Sequence, residues 1–378
     1  MKRVQSIDLV RGFCIFLMVA GHLLDWWIIP SNRLMIWVLF SFLAPIAATG
    51  FLFISGFSAA LAYKDRIRKA ENSTNFTLTQ ARNIYIIRAI LILIIGFVYN
   101  TIIGLGVSFA EDSNEMKWIW AWDVLQTIAI SLLLAWPLLR TPKILRIILG
   151  IGLLIVNEIL LTNLLPYENQ LNIYGILFHF LYHPKEGFVI IPYFAIFIIG
   201  SACGDFFFDY NIIEDQEERK NAIKSSYIKI TLIVGLASAS FGIIYRFFPW
   251  PADFLDRSTI SSLVYSLGAI IALLAILIYL EEFEKLRTKK RYSFFYYFSF
   301  YSFTVYIAHD FLYFLFYSQL NGLVIWLPVI GMIVLMTLVL KFLHRKVGLK
   351  ASLKAEISIV SLIILNLIEQ KKKKNRNN

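Results

Sequence analysis

Residues 6–27 read SIDLVRGFCIFLMVAGHLLDWW, an apolar run that also carries Asp8, Arg11, His22 and Asp25. As a helix it is long enough to cross a hydrocarbon core of about 30 Å. His22 follows Arg11 by eleven positions, which is about three turns and roughly 16 Å along the axis, on the same face. Asp8 and Asp25 stand three residues from Arg11 and His22 and fall on the same stripe. Ionisable groups inside a bilayer are costly, and they normally face a bundle interior where they serve chemistry or transport. This segment therefore sets both the fold class and the first place to look for function.

The rest of the chain repeats the pattern. It has 378 residues, of which 58% are hydrophobic and 16% charged, with mean hydropathy +0.68. That balance predicts an all-α, polytopic integral membrane protein. The apolar runs are continuous rather than alternating, which excludes a membrane β-barrel. About ten transmembrane helices are expected, over 7–29, 35–63, 83–108, 117–140, 144–164, 187–208, 227–248, 258–281, 294–318 and 323–344. The apolar stretch 355–368 is too short to span comfortably and is flanked by Lys354 and the lysines 371–374, so it reads as an interfacial helix, with a truncated extra span as the alternative. The expected organisation is a single transmembrane domain over 1–348, then that helix and a basic cytoplasmic tail over 349–378.

The formal charge of +11 is concentrated in short connections and the tail, such as Lys64, Arg66, Arg68, Lys69 and Arg82, or Arg140, Lys143 and Arg146, or the run 285–291. The opposite connections carry Glu111, Asp112 and Glu115, or Asp253 and Asp256. The positive-inside rule puts both termini in the cytoplasm, Arg11 near the inner leaflet and His22 in the outer half of a cell (plasma) membrane. It also accounts for the basic charge without a nucleic-acid partner. Lys2 and Arg3 precede an apolar run, but Arg11 interrupts it, so a retained helix is expected rather than a cleaved signal. With only Cys14 and Cys203, neither a disulfide framework nor a thiolate metal site is indicated, and no metal is expected.

His22 is the leading catalytic candidate, because imidazole titrates near neutrality and suits general-base work on a hydroxyl or amine. Asp25 is the sequence candidate for holding the ring in one tautomer. The bland alternative is a membrane histidine bonded to a neighbouring helix. Asp8 and Arg11 pair with each other on this spacing, and the guanidinium remains suited to a phosphate or thioester carbonyl. A second constellation is FLFISGFSAALAY at 51–63 followed by TQARNIYIIRAIL at 79–91. Ser55-Gly56 is a small step expected to break an apolar helix and admit a close backbone. Arg82, for which snorkelling is the bland alternative, is expected to join Arg88, Lys64, Arg66 and Arg68 in binding an anionic, phosphate-bearing cofactor. Arg88 lies a turn or more inside the span, where it can help form a cationic patch for a phosphate-bearing cofactor. The remaining candidates are acceptor-side residues: Asp123, Gln126, Glu158, Arg246, His309 and Asp310 within spans, and His179 and His183 in an aromatic external loop. Each is equally readable as an interhelical hydrogen bond, an ion pair or an interface anchor.

The arginine, ten intervening residues and histidine of the first helix resemble the signature of the transmembrane acyltransferase superfamily, in its acyltransferase-3 form. FLFISGFSAALAY, WDVLQTIAISLLLA at 122–135 and IIPYFAIFIIGSACGD at 190–205 are closer to the heparan-α-glucosaminide N-acetyltransferase catalytic-domain family. YSFTVYIAHDFL at 301–312 is similar to that family's late helix. The resemblance covers about residues 4–315. It implies transfer of an acyl group, usually acetyl, from cytoplasmic acyl-CoA to a hydroxyl or amine of a glycan-type acceptor on the far side. It maps the catalytic histidine to His22 and the inner arginine to Arg11, with direct attack or an acyl-histidine as the two routes. The expected surroundings are membrane lipid, acyl-CoA (acetyl-CoA above all) and a carbohydrate or other hydroxyl or amine acceptor; the oligomeric state is open, a homodimer included. The rival reading is a transporter using Arg11, His22, Asp123, Glu158 and His309 as an ion or proton relay. A haem bound by His22 and His309 is a third.

Overall fold

The computed structural model describes residues 4–40, 42–72, 77–111, 121–168, 170–183, 187–247, 259–283 and 293–377. Among these the chain is helical, and its one β contact is an isolated bridge between Ile28 and Leu320. The helices are α1 (Gln5–Trp27), α2 (Arg33–Phe40), α3 (Ala44–Glu71), α4 (Leu78–Glu111), α5 (Val124–Leu138), α6 (Lys143–Leu164), α7 (Ile173–Tyr182) and α8 (Ile190–Asn211). Then follow α9 (Gln216–Ala222), α10 (Lys229–Phe247), α11 (Ile260–Glu282), α12 (Ser293–Phe300), α13 (Ser302–His309), α14 (Trp326–Lys346) and α15 (Leu353–Asn377). Among the described residues, eight helical stretches are long and apolar enough to cross a membrane, so the chain is a polytopic helical membrane protein.

Three of the ten expected spans take another form, and the one over 35–63 divides into α2, which ends at Phe40, and α3, which begins at Ala44. The described helix within 117–140 is the 15-residue α5. The segment 294–318 is broken: α12 stops at Phe300, Tyr301 turns, α13 runs to His309, and a 3-10 turn covers Asp310–Phe314. The expected break at Ser55-Gly56 is absent, since α3 is continuous from Ala44 to Glu71. The small residues there serve approach rather than interruption. A Cβ on Gly56 would lie 1.9 Å from the Phe197 carbonyl oxygen, and one on Gly204 would lie 2.5 Å from that of Phe57. Two of the motifs that carried the family resemblance thus lock α3 to α8 backbone against backbone, the way small residues let membrane helices meet.

By its internal contacts the chain divides into two units. The first comprises 1–54 and 210–354, the second 55–209 and 355–378. In the first, α1 packs on α12, with a Cβ on Gly12 meeting the Phe295 carbonyl oxygen at 2.0 Å. The Glu281 carboxylate at the end of α11 accepts from the Gln5 and Ser6 amides at 2.8 and 2.7 Å. These are amides that a helix start leaves without intrahelical partners. Leu23, Leu24, Trp27, Phe298, Tyr301 and Val305 build the core around α1. In the second unit, α3, α4 and α5 meet in a small aromatic core of Tyr63, Tyr85 and Trp136. Long apolar side chains face outward on α4 and α6, among them Ile94, Val98, Ile148 and Ile159, as lipid-facing helices require.

Candidate active site

His22 is half-buried on α1, and its ring is enclosed by aromatic neighbours rather than by Asp25. The Trp26 ring meets it edge-on at 4.8 Å between centroids, and the His309 ring at 5.1 Å. Trp26 also stacks on His309 at 5.6 Å. His309 is 1% exposed. Its Nδ1 donates to the Tyr306 carbonyl oxygen at 2.6 Å, and its Nε2 lies 3.3 Å from Asp310 Oδ1. One donor atom from each of His22, His309 and Asp310 lies within 4.8 Å of the other two. The rings touch too closely, with Trp26 laid against one of them, to leave a slot for a porphyrin between His22 and His309.

The position of His309 follows from how α1 ends. The Ser318 amide donates to the Trp26 carbonyl at 2.9 Å, and the Leu320 amide to that of Trp27 at 2.8 Å. Trp27 Nε1 donates to the Leu312 carbonyl at 2.9 Å. The chain after α13 is thereby tied to the last turn of α1, with His309 beside His22.

The other sequence candidates scatter. Asp25 is 66% exposed and pairs with Arg33 at 3.7 Å. Arg11 is buried and meets Asp8 at 3.5 Å, as expected from their spacing, and Asp8 also accepts from Ser299 Oγ at 3.2 Å. In the second unit, Asp123 caps α5 through the Val124 amide at 2.6 Å. Gln126 is buried where α5 meets α4, its amide beside Gly96. Glu158 is half-buried on α6, close enough to Tyr182 to add to the effect of burial in raising that phenol above its ordinary pKa. His179 is exposed on α7 and His183, the residue after that helix, is half-buried, their rings 5.4 Å apart. The Arg246 side chain, Asp112, Glu115, Lys185, Glu186, Asp253, Asp256 and the basic run 285–291 lie outside the described residues.

The cationic patch resolves into a defined cavity of about 580 Å³ in the second unit. Arg66, Lys69, Asn72, Ile84 and Arg88 line it from α3 and α4, and Ser358, Ser361 and Leu362 from α15. Arg88 therefore reaches the cavity, whereas Arg82 is exposed and outside its lining. Ser55 sits half-buried in α3 beside the Gly56 contact.

Sequence reasoning missed the buried charges that hold this end of the unit. Arg146, counted among the loop cations, is 1% exposed and ion-paired with Asp205; it also donates to Ser201 Oγ at 3.1 Å. Lys64 approaches the same carboxylate at 3.3 Å. The available signal was Asp205 itself, a lone carboxylate at the end of IIPYFAIFIIGSACGD.

No curated protein and no solved structure gives a significant match to the chain. A family model does, that described as "Heparan-alpha-glucosaminide N-acetyltransferase, catalytic", over residues 3–250. That match takes in α1 with His22, the interlocked α3 and α8, and the arginine-bearing start of α4, and with it the chain belongs to the heparan-alpha-glucosaminide N-acetyltransferase catalytic family.

Proposed function

We propose that this protein moves an acetyl group from acetyl-CoA to a hydroxyl or amine of a glycan-type acceptor across the cell membrane. The observation that carries the reading is the His22 cluster: a half-buried imidazole on the first membrane helix, walled by Trp26, His309 and Asp310, in a chain of an acetyltransferase family. The cationic cavity supports the donor half. Arg66, Lys69 and Arg88, with two serine side chains from α15, offer the charge-assisted donors that the phosphates of acyl-CoA require. The basic connections argue for a cytoplasmic donor side and an acceptor on the far face.

In the proposed chemistry His22 accepts the proton of the acceptor O–H or N–H. The freed lone pair forms a bond to the thioester carbonyl carbon, the C–S bond breaks, and the CoA thiolate leaves, recovering the proton from His22. Direct transfer needs one such base. The transporter alternative has no support from the family match. The test is single-turnover transfer of labelled acetyl from acetyl-CoA in proteoliposomes. His22→Ala is expected to lower the rate by roughly 10²–10⁴-fold, the usual contribution of a general base, while acetyl-CoA still binds. A monodisperse His22→Ala protein that transfers at the wild-type rate would refute the assignment.

A further inference from the structure

The His22 cluster contains an electrostatic mismatch that a base at His22 leaves unexplained. A backbone carbonyl can only accept, so the 2.6 Å contact with Tyr306 places the proton of neutral His309 on Nδ1. Nε2 then presents a lone pair. It is buried without a hydrogen-bond partner, and Asp310 Oδ1, another acceptor, stands 3.3 Å away. Two acceptors facing each other where water is scarce repel, and a cation between them converts the repulsion to attraction. The His22 ring completes the surroundings at 5.1 Å from that of His309.

We propose that His22, His309 and Asp310 form a binding site for a divalent transition-metal ion of the zinc class. Two imidazoles and one carboxylate suit zinc or cobalt, and they disfavour magnesium and calcium, which take oxygen ligands. The Nδ1–H contact of His309 to a backbone carbonyl is the outer contact that fixes a ligating histidine in the correct tautomer. Around zinc, with bonds of about 2.0–2.1 Å, ligand atoms sit roughly 3.4 Å apart. The present spread, within 4.8 Å, contracts to that as the half-buried His22 ring swings toward the buried His309. A fourth position remains for water or another oxygen. Ligation occupies the His22 lone pair, so metal binding and acetyl transfer exclude each other. This consequence, unlike the site itself, rests on the assignment of His22 as the base.

The test uses the full-length protein in detergent, stripped with a chelator and titrated with Co²⁺. The expected result is one tight Co²⁺ per chain with the visible d–d bands of a four- or five-coordinate site, displaced by Zn²⁺. His309→Ala and Asp310→Asn should each weaken binding by about 10–100-fold or more, the lower bound being the loss usual for outer-contact mutations. Asp310→Asn keeps the shape of the residue and serves should His309→Ala fail to fold. The double variant His179→Ala/His183→Ala should bind normally. Absence of d–d bands, binding indifferent to His309 and Asp310, or binding lost with His179 and His183 overturns the proposal; in the first case a proton shared by His309 and Asp310 is the occupant. Zn²⁺ should also inhibit acetyl transfer at the concentration that fills the site. Filling without inhibition leaves the metal site standing and overturns the base role of His22 instead.

Discussion

Asp205 answers two cations. It pairs with Arg146, whose side chain is 1% exposed, and with Lys64, which is 35% exposed. The geometry predicts an asymmetry between the partners. In Arg146→Met, Asp205 keeps Lys64, so the carboxylate stays compensated, and the loss is one buried hydrogen-bonded pair, about 1–3 kcal/mol. In Asp205→Leu, Arg146 is left in the interior with a hydrogen bond to the neutral Ser201 hydroxyl, and an uncompensated buried charge costs about 3–5 kcal/mol. Lys64, half outside, regains solvent and adds little. The double variant Arg146→Met/Asp205→Leu removes both charges and should recover most of the Asp205→Leu loss, since an apolar pair of similar volume is often neutral. The assay is reversible unfolding in mixed micelles, followed by tryptophan fluorescence, with all three variants in one detergent. Asp205→Leu no worse than Arg146→Met, or a double variant equal to the sum of the singles, would refute the claim that one carboxylate compensates a buried arginine.

Arg88→Ala should weaken binding of a non-reactive acyl-CoA analogue by about 10–100-fold, the loss of a charge-assisted contact of about 1.5–3 kcal/mol, whereas Arg82→Ala, outside the cavity, should change it by less than about twofold; equilibrium dialysis compares them. Gly56→Val would set a side chain where a Cβ already lies 1.9 Å from a carbonyl oxygen, so α3 and α8 must part and the monodisperse yield should collapse. Gly152→Ala, with nothing within 4 Å of its Cβ, should be neutral or stabilising by about 0.5–1 kcal/mol. Asp25→Asn should leave acetyl transfer within about twofold, because its carboxylate answers the exposed Arg33.

Whatever depends on short spacing was legible from local rules. Length and apolarity found the long helices, and the i,i+3 relation found the Asp8–Arg11 pair. Arg88 inside an apolar run pointed to the cavity it lines. What failed required knowing which distant residues meet. Asp25 was the nearest carboxylate in sequence to His22, but the helix turns it to Arg33, and the carboxylate of the cluster is Asp310, far along the chain. Arg146 read as a topology charge because its burial is set by α8. The break at Tyr301 leaves little periodic trace, because aromatic residues continue on both sides of it.

That break and the end of α1 together build the site. Trp27 is fully buried and holds the Leu312 carbonyl through Nε1. The last carbonyls of any helix lack intrahelical partners, and in α1 those of Trp26 and Trp27 take the amides of Ser318, Gln319 and Leu320. Ser318 adopts φ 52°, the left-handed turn that lets successive amides point at one helix end. The backbone leaves helical geometry at Tyr301, with φ −98° and ψ 20°, and the 3-10 segment that follows α13 is caught by α1. The contacts that close the end of α1 are therefore the ones that set His309 against His22. Loosening 318–320 should damage the histidine cluster before it damages α1, whose start is held separately by Glu281.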